Sequence, residues 1–151
     1  MTKRMAISAL ALAGAFLAAY LTLYKLGYIG TLACGTGGCE TVQMSKWGNL
    51  AGQPVALWGV GFYVAMFVTA TLGTFSSWAD DRRVSLALVA MSGWGVLLSG
   101  WLTWLELVKI QAICRFCVAS ALIVLLLFVL SVLDLRELRE LRELREAGGA
   151  R

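Results

Sequence analysis

Four stretches without Asp, Glu, Lys or Arg constrain this chain before anything else: residues 5–24, 47–79, 84–105 and 116–133. A helix needs roughly 20 apolar residues, at about 1.5 Å each, to cross a hydrocarbon core of roughly 30 Å. Each stretch is near or above that length. In hydrocarbon a segment must satisfy its own backbone hydrogen bonds, which leaves helices or closed barrels, and near-continuous apolar runs lack the alternation of barrel strands. The expected fold is all-α, an integral membrane four-helix bundle. Composition agrees, with 60% hydrophobic and 15% charged residues where a soluble domain carries about 25% charged.

The second stretch exceeds one span. Asn49, Gly52 and Gln53 are loop residues and Pro54 suits a first helical turn, so helix 2 is expected over 54–75. It ends before the polar turn of Ser76, Ser77, Asp80 and Asp81. Helix 1 is expected over 5–26, helix 3 over 84–108 and helix 4 over 112–133. Nine of the 13 basic residues then share one side: Lys3, Arg4, Arg82, Arg83, Arg136, Arg139, Arg142, Arg145 and Arg151. The positive-inside rule makes that side, with both termini, cytoplasmic. A multi-pass protein of a bacterial inner (plasma) membrane is expected. The first span is read as uncleaved. Its apolar run is longer than a signal core, and the stretch before Cys34 lacks the aliphatic residue of a lipoprotein cleavage box. No basic stripe interleaved with aromatics lies outside the membrane flanks, which argues against nucleic acid. The absence of histidine removes histidine relays and histidine metal sites.

This topology sets all four cysteines on the external, oxidising side. Cys34 and Cys39 fall in an external loop between helices 1 and 2; Cys114 and Cys117 fall where helix 4 begins. Cys114-Arg115-Phe116-Cys117 is a C-x-x-C motif, whose cysteines share one helix face. In a first turn, orphan N–H groups, the positive end of the helix dipole and the neighbouring Arg115 favour a thiolate. Gly35-Thr36-Gly37-Gly38 gives the loop pair wide backbone freedom. A mobile pair facing a fixed pair suits relayed exchange, in which one loop cysteine meets Cys114 at one moment and its loop partner at another. Two structural disulfides, a Gly-rich hairpin staple and a zinc or copper site remain open as alternatives.

The order of these features resembles the bacterial homologues of vitamin K epoxide reductase, membrane enzymes that make disulfides by reducing quinone. It runs from helix 1 to Ser131. A loop cysteine pair is followed by Ser45, then Gly52-x-Pro54 with Gly59 and Tyr63, and last Cys114-Arg-Phe-Cys-Val-Ala-Ser120. The DsbB type of generator has the opposite order, its C-x-x-C in the first external loop. The resemblance implies that Cys117 faces the quinone, that Cys114 bonds Cys39 in the interloop disulfide, and that Cys34 is the outer, exposed cysteine. It further implies a quinone of menaquinone, ubiquinone or vitamin K type, and a thioredoxin-like or DsbA-like periplasmic partner. Many members carry that domain fused after helix 4; here it is expected as a separate protein. Ser45 is expected near the active site. Phe116, Trp47, Trp58 and Tyr63 are candidates for the quinone pocket. The Cys34 to Cys39 spacing is shorter than in many members.

Residues 1–134 are expected to form the transmembrane catalytic domain, and 135–151 a charged cytoplasmic extension of helix 4. That extension repeats Leu-Arg-Glu four times. Leucine every third residue spirals around a helix and forms no coiled-coil seam. Tyr28, Trp47, Trp101 and Trp104 suit an external aromatic belt and Trp78 an internal one. Glu106 and Lys109 are expected as an interfacial ion pair, with a proton role as the alternative. The expected activity is a quinone-dependent thiol oxidase. Its rivals are a vitamin K quinone or epoxide reductase that uses thiols as reductant, and a non-enzymatic scaffold with two structural disulfides.

Overall fold

The computed structural model describes residues 2–35, 38–75, 78 and 81–149. Thr36, Gly37, Ser76, Ser77, Asp80 and Arg151 lie outside the described residues. Four long helices dominate: α1 (Thr2–Lys25), α3 (Val55–Leu72), α4 (Arg82–Leu105) and α5 (Arg115–Gly149), with a short α2 (Gly38–Met44) between the first two. By length and composition, four helices can cross a membrane. The chain is all-α apart from a two-residue strand pair, Asn49–Leu50 with Gln53–Pro54. Its turn puts Ala51 at φ 53° and Gly52 at φ 79°, the two positive φ values a tight hairpin requires.

The core is a set of helical stripes. Ile7, Ala11 and Ala18 of α1 bury against Tyr63, Met66 and Ala70 of α3, with Leu88 of α4 and Val124 and Leu127 of α5. These recur at three- and four-residue steps, so one face of each helix turns inward. The outer faces keep large apolar residues exposed, among them Phe16, Leu97 and Leu122. In lipid such a surface carries no hydration penalty. Gly14 sets the distance between α1 and α3, because a Cβ there would overlap the Tyr63 ring. Helix α1 packs along α3 and α4 along α5, α5 also lies against α1, and α3 and α4 touch less closely than these three pairs.

Some boundaries differ from the expected ones. Pro54 belongs to the hairpin and α3 begins one residue later. Helix α4 ends in a π-helical turn, Glu106–Ile110, and Gln111 is left-handed at φ 54°. That reversal delays α5 to Arg115, after which it runs unbroken through the Leu-Arg-Glu repeat to Gly149. Of the three glycines in α4's second half, Gly95 lies against Phe62 and Val124, whereas Gly100 faces open space.

At the end of the bundle holding the start of α1, Arg4 is buried. Its Nε bonds Asp134 at 3.1 Å, its guanidinium donates to Ser85 Oγ at 2.9 Å, and it also donates to the Gly73 and Trp78 carbonyls. Ser85 donates to Asp134 at 2.6 Å. The cluster ties the ends of α1, α3 and α4 to the middle of α5. The cysteines lie at the opposite end.

Candidate active site

Local backbone geometry places each cysteine. Cys34 and Cys39 form a disulfide with Cα atoms 6.1 Å apart. Cys39 sits in the first turn of α2. Lys25, at the end of α1, donates to the Gln43 carbonyl in α2's last turn and so anchors the short helix to the bundle. Cys39 and Cys114 are both fully buried, in one cluster with Leu21, Leu32, Cys34 and Val42, and Cys117 packs against it. Gly38 permits this meeting: a Cβ there would overlap the Ile113 carbonyl oxygen. The sequence reading took Gly38 for freedom of movement; its geometric role is close approach of α2 to the chain before α5.

Cys114 and Cys117 are free thiols. Cys114 occupies the N-cap of α5, one residue outside the helix. Its carbonyl accepts Val118 N–H at 3.0 Å and its sulfur accepts Cys117 N–H at 3.3 Å. A cap acceptor facing the orphan donors and dipole of a 35-residue helix is favoured when negatively charged. The Cys117 thiol also bonds to it. That bond, with the Cys117 and Phe116 N–H groups, holds the Cys114 thiol below its ordinary range, against opposing effects of burial and the Glu106 charge.

A titration follows from this arrangement. With the loop disulfide intact, the ultraviolet thiolate absorbance of Cys114 should reach half its height below the pH of about 8.5 typical of a free thiol. Because the Cys117 thiol contributes most, Cys117→Ala should move that midpoint upward. An unchanged midpoint would remove Cys117 as the cause.

Cys117 opens onto an apolar cavity of about 1120 Å³ between α3 and α4, which pack less closely than the neighbouring pairs, backed by α1 and α5. Trp47, Trp58 and Tyr63 line it, as do Trp94, Trp101, Glu106 and Ser120. Tyr63 Oη bonds Ser120 Oγ at 2.7 Å, and Trp58 Nε1 donates to the Leu50 carbonyl at 3.3 Å. Lys46 lies 5.1 Å above the Trp47 ring. A quinone needs an apolar bed, aromatic faces for its ring and a thiol at the wall, and these residues fit it.

Four expected positions differ. Phe116 is not in this lining; it packs edge-on against Tyr20 at 5.5 Å, because the N-terminal turn of α5 directs it toward α1. Ser45 also lies off the cavity and donates to the Val42 carbonyl at 2.7 Å, closing the end of α2. Cys34, expected exposed, is only 3% exposed, drawn inward by its bond to Cys39 while Ala33 and Gly35 face out. Glu106 does not reach outward to Lys109. It is buried, its Oε2 accepts Cys114 N–H at 3.2 Å, and it lines the same cavity as Cys117, whereas Lys109 is exposed. Nothing in the local sequence marks the π-helical turn that rotates it inward. Trp101 was legible only as a belt aromatic and Trp94 was not singled out, since α4's facing was unknown.

No curated protein matches the chain. The model of the vitamin K epoxide reductase family matches residues 5–132, a range that contains all four helical spans' apolar portions, both cysteine pairs and the cavity. With that match, this chain belongs to the vitamin K epoxide reductase family, membrane oxidoreductases that link disulfide chemistry to quinone.

Proposed function

We propose that the protein is a quinone-dependent thiol oxidase that generates disulfides for a separate thioredoxin-like protein. One observation supports this reading above the others. Cys39 and Cys114 are buried in a single cluster, and the neighbouring Cys117 faces a large apolar cavity. The partner's two thiols reduce Cys34–Cys39, once the Cys34 segment moves to admit them. Cys39 thiolate then attacks Cys114 in a Cys114–Cys117 disulfide, and Cys117 leaves as thiolate and takes up one of the protons that the partner's thiols release. Cys34 attacks Cys39 in turn, restoring the loop disulfide and releasing Cys114. The described state, with the loop pair bonded and the helix-start pair reduced, corresponds to this point. Bound quinone supplies a two-electron, two-proton sink. Cys114, held at the N-cap, then closes the S–S bond with Cys117.

In this reading residues 1–134 are the catalytic domain, with Trp47, Trp58 and Tyr63 around the quinone. Residues 135–151 extend into the cytoplasm of a bacterial cell, and the cysteine end faces the periplasm. The basic residues at the Arg4 end support that orientation.

In lipid nanodiscs, a reduced thioredoxin-like protein should be oxidised with one quinone reduced per disulfide formed, using menaquinone, ubiquinone and vitamin K analogues in parallel. No thiol-dependent quinone reduction with any of the three would overturn the proposal. Reduction of the epoxide in preference to quinone would favour the rival reductase.

A further inference from the structure

We infer that Glu106 is the proton acceptor for Cys117 and carries that proton toward the quinone site, an inference that rests on the function proposed above. Oxidising the pair to the Cys114–Cys117 disulfide passes two electrons to quinone, which takes up two protons as it becomes hydroquinone. Cys114 at the N-cap is the group disposed to be thiolate already, its proton lost to solvent or partner exchange beforehand. Cys117 has no such arrangement. Its proton needs a nearby acceptor, and the Glu106 carboxylate, which holds Cys114 N–H at 3.2 Å and lines the same cavity as Cys117, is in that position.

The backbone holds Glu106 there. Its carbonyl accepts Gln111 N–H and, at 3.3 Å, Ala112 N–H, which closes the π-helical turn and the left-handed reversal after it. Its Oε2 is tied to Cys114 N–H at 3.2 Å. The side chain is 5% exposed, yet Glu106 lines the same cavity as Cys117. A carboxylate set between the thiol pair and the space where the acceptor binds can accept on one side and donate on the other. π-helical turns are rare and frequently lie at functional positions.

Among the described residues the other ionisable groups facing this region are few. Cys114 and Cys117 approach from the start of α5. Lys46 and Tyr63 share the cavity lining, and Lys109 on the turn itself is exposed. As the Cys114–Cys117 S–S bond forms, the S–H bond of Cys117 breaks, its proton passes to Glu106, and the electron pair leaves the thiol pair for quinone. The proton on Glu106 then follows into the cavity as one of the two that quinone takes up; the second comes from solvent, which had received the Cys114 proton earlier.

The test is single-turnover reduction of a short-tailed quinone by nanodisc protein whose loop disulfide is intact and whose Cys114 and Cys117 are reduced. Glu106→Gln keeps an acceptor for Cys114 N–H but cannot take the proton. It should slow this step on the order of 10²-fold, the usual size of a general-base contribution, with little change in the quinone concentration giving half-maximal rate. Its pH profile should lose the rising limb that the wild type shows. Glu106→Asp, one methylene shorter, should recover part of the rate. Infrared difference spectra of the wild type should show a carboxyl band changing as the thiols are oxidised, and Glu106→Gln should lack it. This spectrum keeps the inference testable if the glutamine variant folds poorly.

A glutamine variant within threefold of wild type with the same pH profile overturns the inference, as does a wild type without the carboxyl band. If Cys117→Ala is inactive in that same experiment, the proposed function stands and only the role of Glu106 falls. A wild type that does not reduce quinone removes both.

Discussion

Alanine at Cys39 should lower electron transfer from a partner's thiols to quinone on the order of 10³-fold or more, as expected when a covalent relay loses its nucleophile. The same variant should leave direct oxidation of reduced Cys114 and Cys117 by quinone close to wild type, because Cys39 lies outside the cavity lining. This split comes from the burial pattern. Cys39 belongs to the fully buried cluster that contains Cys114, and Gly38 lets α2 press against the Ile113 carbonyl beside it. Cys34→Ala should differ in kind. Cys39 would still attack Cys114, but nothing would resolve the product, so the Cys39–Cys114 disulfide should accumulate and appear in peptide maps. Partner-to-quinone turnover in Cys39→Ala within tenfold of wild type would remove the relay, since no other described thiol could substitute.

The four spans were legible because their signal is physical length: an apolar run of about 20 residues has one stable arrangement in hydrocarbon. The C-x-x-C motif was legible for a similar reason, since three-residue spacing at a helix start fixes which cysteines meet. What the sequence did not reveal depends on backbone turns with no local signature. Gln111 adopts the left-handed region that glycine and asparagine usually occupy, so the π-helical turn and the inward Glu106 could not be anticipated. The same reversal moves Cys114 from inside the first turn to the N-cap. Gly38 illustrates an ambiguity of glycine itself, because freedom and close approach call for the same residue. The inward turn of Cys34 follows from its pairing with Cys39, which spacing alone left open.

The Arg4 cluster was hidden by sequence distance, since Arg4 and Asp134 are 130 residues apart. Arg4 read as one more basic flank and Asp134 as the end of an apolar run. Their contact makes a strong prediction about stability. Asp134→Ala should destabilise the bundle by about 3–5 kcal/mol, the usual effect of stranding one member of a buried pair. The guanidinium would keep its bonds to the Gly73 and Trp78 carbonyls and to Ser85, with no anion to balance it. At roughly 2–4 °C per kcal/mol for a chain of this size, the unfolding midpoint in detergent should fall by about 6–20 °C. The double variant Arg4→Leu with Asp134→Leu separates charge from packing. Replacing both members of a buried pair with apolar groups is often close to neutral. Here it also strands the Gly73 carbonyl at the end of α3, and an unsatisfied buried acceptor costs about 1–3 kcal/mol. The double variant should therefore recover most of the lost midpoint but not all of it. If Asp134→Ala melts within about 2 °C of wild type, less than a kcal/mol is at stake, and the cluster is a surface ion pair in effect. If the double variant is as unstable as the single one, the carbonyl bonds of Arg4, rather than its charge pairing with Asp134, hold this end of the bundle together.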